Sequence, residues 1–99
     1  MKAHATLQRI KPTSMNMKPG ANLVMQLFDD GALVYRNDKT KESLFNMQYS
    51  SFKDIGYTQD GLTLLMHNDH DKVTEVRVDF IMHEEDVSQV MKILLAALV

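Results

Sequence analysis

Apolar residues recur at every second position through most of the chain and shift to helical spacing only near its end. Val76, Val78 and Phe80 alternate with Glu75, Arg77 and Asp79, the pattern of a strand with one buried and one solvated face. Leu23, Met25 and Leu27 share one face of a strand predicted over 22–28. Asp29-Asp30-Gly31 then supplies residues that tolerate a tight hairpin turn, and 32–36 returns as the second arm. A first strand is expected over 5–10, ended by Lys11-Pro12-Thr13-Ser14. The segment 14–20 reads either as a short strand with a turn or as a long loop.

The wholly polar run 37–42 is an exposed connection, after which β character resumes over 43–49. Phe52, Ile55 and Tyr57 lie at mixed spacing, which predicts a strand interrupted by a bulge or corner. Gln59-Asp60-Gly61 is a turn. Leu62, Leu64 and Met66 form the next alternating strand, and 68–72 is a charged hairpin tip before the strand at 76–80.

From Glu84 the period becomes that of a helix. Val87, Val90, Met91, Leu94 and Leu98 fall within about a 100° arc, as in a helix packed on a sheet. The acidic first turn Glu84-Glu85-Asp86 complements the positive helix N-terminus. Six to seven strands (about 5–80) and one terminal helix (about 84–99) leave no earlier helix for parallel crossovers. The expected fold is mainly β, an antiparallel bent sheet or partly open barrel capped by the C-terminal helix, in a single domain over 1–99.

Composition narrows the function classes. Lys plus Arg number 11 against 13 Asp plus Glu, a formal charge of -2 that argues against nucleic acid and anionic membranes as partners. There is no cysteine, hence no disulfide framework and no thiolate nucleophile or ligand. The N-terminal stretch is broken by Lys2, Arg9 and Lys11, unlike a signal peptide, and the apolar run 93–99 is far short of the ~20 residues that span a bilayer. A cytoplasmic location is expected.

Two segments carry a family resemblance. The run Leu27-Phe28-Asp29-Asp30-Gly31-Ala32-Leu33-Val34-Tyr35-Arg36 resembles the second hairpin of small bacterial pleckstrin-homology-like domains, and Tyr49-Ser50-Ser51-Phe52-Lys53-Asp54-Ile55 resembles their hydrophobic-x-x-Asp-Ile step. The resemblance covers nearly the whole chain and implies a non-catalytic recognition or assembly scaffold. One departure bears on partners: phosphoinositide-binding members cluster Lys and Arg around the first hairpin, whereas here Arg9, Lys11 and Lys18 stand apart. Phosphoinositide binding is therefore not expected.

Two features could carry function. His67, Asp69 and His70, within the run His67-Asn68-Asp69-His70-Asp71, supply nitrogen and oxygen donors suited to zinc or nickel, with His83 a conceivable further ligand. The same run also suits a solvated turn rich in Asn and Asp. Ile93, Ala96 and Val99 project away from the helix's apolar stripe, so its last turns are apolar nearly all round, as at an interface. Eight methionines add adaptable apolar surface. No nucleophile elbow, phosphate-cradling Gly-rich loop or His-Glu-x-x-His is present, and no cofactor is implied. The expected function is a non-catalytic protein-interaction or self-assembling module, with metal or small-ligand binding through the His67/His70 hairpin as the alternative. Small size also permits a phage or mobile-element accessory role.

Overall fold

The computed structural model describes residues 1–11, 18–67 and 75–98, His67 and Leu98 by their backbone. Seven strands, β1 (Lys2–Lys11), β2 (Asn22–Leu27), β3 (Ala32–Asn37), β4 (Ser43–Gln48), β5 (Phe52–Tyr57), β6 (Gly61–His67) and β7 (Glu75–Ile81), precede helix α1 (Glu84–Leu98). All neighbours are antiparallel in one open sheet of order β4-β3-β2-β1-β7-β6-β5. Two meanders, β2-β3-β4 and β5-β6-β7, are thus joined through β1. The first part of β1 pairs with β2 and the second with β7, the two overlapping at Thr6, and the register with β7 shifts between Leu7 and Arg9.

β1 starts earlier than the sequence pattern suggests. Ala3 and Ala5 continue the buried alternation that ends at Leu7, but alanine is a poor strand signal. The interruption expected around Phe52 is present, as a single 3-10 turn at Tyr49–Ser51 and a register shift between Phe52 and Asp54. Gly31 closes the β2–β3 hairpin at φ 96°, a conformation open to glycine at little cost. Nearby, the Tyr49 hydroxyl donates to the Phe28 carbonyl at 2.8 Å. Partial burial, with Asp29 and Asp30 adding, raises the Tyr49 pKa.

The sheet curls around its core. Tyr35 of β3 and Phe80 of β7 lie three strand spacings apart, roughly 14 Å along a flat sheet, yet their ring centroids are 5.2 Å apart. Only a strongly concave inner face brings them together. Leu7, Leu23, Met25, Leu33, Leu62, Leu64 and Val78 fill the same core. α1 closes it by packing on β5, β6 and the 3-10 turn, with Val87, Val90, Met91 and Leu94 buried as the helical periodicity predicts. No helix among the described residues is long and apolar enough to cross a membrane.

One core group stands out chemically. Tyr35 is fully buried, its hydroxyl has no hydrogen-bond partner among the described residues, and burial drives its pKa far above the ordinary phenol value.

Candidate functional site

Strand register decides which charged residues meet on the outer face. Lys2 pairs with Gln26, while His4 pairs with Val24 and Val24 with Arg36. Cross-strand partners share a face, so the alternation that buries Ala3, Leu23, Met25 and Tyr35 turns Lys2, His4, Val24, Gln26 and Arg36 outward. Val24 is still buried, as an apolar floor between His4 and Arg36. A depression of about 410 Å³ opens above it, with Lys41 completing its wall. A second, of about 370 Å³, begins at His4 and reaches Asn22, Asp38, Ile81 and His83.

The β3–β4 turn places Lys41. The Asn37 side-chain oxygen accepts from the amides of Lys39 and Thr40 at 2.9 and 3.0 Å, and the Lys41 amide donates to the Asn37 carbonyl at 2.9 Å. This tight loop ends with Lys41 at φ 61°, a left-handed conformation unusual for lysine. Its ammonium donates to the Asp38 carbonyl at 2.6 Å and lies 3.7 Å from the Asp38 carboxylate, which also sits 3.3 Å from His4 Nδ1.

Arg36 is held differently. It is half-buried, its Nε donates to Gln26 Oε1 at 3.1 Å, and its Nη1 donates to the Lys41 carbonyl at 3.4 Å. Among the described residues, no carboxylate forms an ion pair with it. A fixed guanidinium without a counter-ion, flanked by two lysines, can receive an oxyanion.

The two sheet edges also differ. β5 carries Lys53 and Asp54, and Lys53 forms an ion pair with Glu75. β4, Ser-Leu-Phe-Asn-Met-Gln, has no charged residue and no proline. The Tyr49 amide donates to the Gly31 carbonyl at 2.7 Å. Antiparallel alternation then turns the amides and carbonyls of Met47 and Phe45 toward β3, and those of Asn46 and Gln48 toward the free edge. Leu44 is the extra residue at the register shift opposite Tyr35 and Arg36.

The residues singled out from sequence fall elsewhere. His67 ends β6 opposite Glu75, whereas Asp69 and His70 lie outside the described residues. His83 follows β7 at the other end of that strand and borders the second outer depression. Among the described residues no group of three or more His, Cys, Asp or Glu could hold a metal ion. On α1, Ile93 is half-buried against the core instead of standing free, and Ala96 is exposed beside Leu95, itself 44% exposed. Val99 lies outside the described residues.

The outer-face site escaped sequence reading because its members come from three strands and a turn. The available signals were Lys2, His4 and Arg36 at the polar positions of alternating strands, but no spacing rule joins them without the register. Comparison of the chain with protein-family models and with curated proteins finds no match in either.

Proposed function

We propose that this chain is a non-catalytic protein-interaction module on a pleckstrin-homology-like frame, and that it joins a second copy of itself edge to edge through β4. Seven antiparallel strands followed by one terminal helix support that frame. The observation that carries the interaction is the β4 edge. Sheet edges in monomeric proteins are guarded by charge, proline or a covering element, and the residues of β4 supply neither charge nor proline.

The edge is also self-complementary. A second copy running antiparallel about a twofold axis at Asn46 sets Asn46 against itself and Gln48 against Leu44 of the second copy. The free amides and carbonyls of Asn46 then meet their own counterparts. Phe45 stands beside Met47 of the second copy on the core side, and no like charges oppose each other. A six-residue strand buries less than the ~800 Å² per partner of a standard interface, so the dimer is weak and reversible, with a dissociation constant in the micromolar range or above.

Sedimentation velocity and light scattering across a concentration series test this reading. The expected result is a monomer–dimer equilibrium that Asn46→Pro abolishes while the circular dichroism spectrum is kept, because proline at an outward-facing amide removes no bond of the β3–β4 ladder. A chain that stays monomeric up to about 1 mM, or an Asn46→Pro variant that dimerises as before, refutes it.

A further inference from the structure

The outer-face depression over β1, β2 and β3 has a role that edge pairing leaves unused. We infer that it is a binding site for a phosphomonoester, with Arg36 as the anchoring residue and Lys2 and Lys41 as its electrostatic rim.

Three observations combine. The first is the state of Arg36, a half-buried guanidinium oriented by Gln26 and the Lys41 carbonyl, with no carboxylate ion pair among the described residues. Ordering a cation costs conformational entropy, and a cation ordered without a counter-ion has its donors ready for one. The second is local charge. The lining holds Lys2, Arg36 and Lys41, and the carboxylate at its border, Asp38, lies 3.7 Å from the Lys41 ammonium, which leaves a net of two positive charges on a chain whose formal charge is -2. A net of two positive charges matches a phosphate dianion of about -1.5 to -2 better than a single carboxylate. The third is the backbone of Lys41, kept in the left-handed region by the Asn37 turn, which holds its stem at the rim of the depression.

The floor selects among phosphates. Val24 is apolar and buried beneath the charged rim, and a volume of about 410 Å³ exceeds what a bare phosphate fills. An ester with a compact organic body uses both. The site lies on the sheet face and not on the β4 edge, so it is independent of self-pairing and is tested in the Asn46→Pro background as well as in the parent chain.

The experiment is a ¹⁵N chemical-shift titration with inorganic phosphate, phenyl phosphate and acetate at matched ionic strength. Saturable shifts confined to 2–4, 24–26, 36 and 41 are expected for both phosphates, phenyl phosphate binding at least as tightly as inorganic phosphate and acetate giving none. Arg36→Gln is expected to weaken phenyl phosphate at least about tenfold and Lys2→Gln about two- to threefold. Lys92→Gln on the exposed face of α1 leaves it unchanged. Because Arg36→Gln also removes the contact to Gln26, the exposed Lys2→Gln variant and the unperturbed amides of each variant separate loss of binding from loss of fold. Absence of saturation, equal shifts with acetate, or full binding by Arg36→Gln overturns the site; binding of inorganic phosphate without phenyl phosphate overturns the assignment to an ester.

Discussion

Replacing Tyr35 with phenylalanine is expected to make this protein more stable. The Tyr35 ring packs in the core against Phe80 and Phe45, and its buried hydroxyl has no hydrogen-bond partner among the described residues. Desolvating an unpaired hydroxyl costs about 1–3 kcal/mol. Its removal leaves a void smaller than a methyl group, which costs less than about 1 kcal/mol. The net gain is therefore about 1–2 kcal/mol, or roughly 4–15 °C in melting temperature for a chain of this size. Urea unfolding followed by circular dichroism reads it as a higher midpoint at unchanged slope. A second arm uses pH. Burial raises the folded-state pKa of Tyr35, so the stability linked to its proton is fully present below the unfolded value near 10 and is lost as pH rises from there through the folded value. Above pH 10 the parent chain should lose about 1.4 kcal/mol per pH unit relative to Tyr35→Phe. Destabilisation of Tyr35→Phe by 1 kcal/mol or more, on the order of one lost hydrogen bond, would refute the reasoning, since the phenol would then have a satisfied partner such as a buried water.

Two further substitutions probe the backbone. A Cβ at Gly61 would lie 2.2 Å from the Phe80 carbonyl oxygen and 2.8 Å from the Met82 amide nitrogen, so Gly61→Ala must push β6 from β7. A loss of about 3 kcal/mol or more is expected by denaturant melts, and a near-neutral result would contradict the close approach of these strands. Lys41→Gly relieves a left-handed lysine but adds unfolded-state freedom, for a net gain of up to about 1 kcal/mol, while phenyl phosphate binding weakens a few fold.

The fold was legible because its signals are local. Alternation at Leu23, Met25 and Leu27, the Asp29-Asp30-Gly31 turn and the stripe from Val87 to Leu94 each lie within a few residues, and each appears where the pattern places it. Ile93 is half-buried against the core although it lies off the stripe, because angular position on a helix does not say how deeply the helix sinks. The helix as a whole packs on β5, β6 and the 3-10 turn. The outer-face site was illegible for a different reason. His4 and Arg36 become neighbours of Val24 only after β1, β2 and β3 are registered, and the register follows from burying the opposite face. The free β4 edge likewise depends on strand order and cannot be seen in its own six residues.

The division of β1 between two neighbours has a kinetic consequence. Each meander consists of sequential hairpins whose loops are short to close, whereas the pairing of Thr6 with Ile81 and Leu7 with Phe80 joins opposite ends of the chain. Closing that loop before its contacts are rewarded is entropically unfavourable, so the two meanders form early and β1 clasps them late. Mutations along the second half of β1 should therefore accelerate unfolding far more than they slow refolding, which makes this single strand the latch that sets how long the native state lasts.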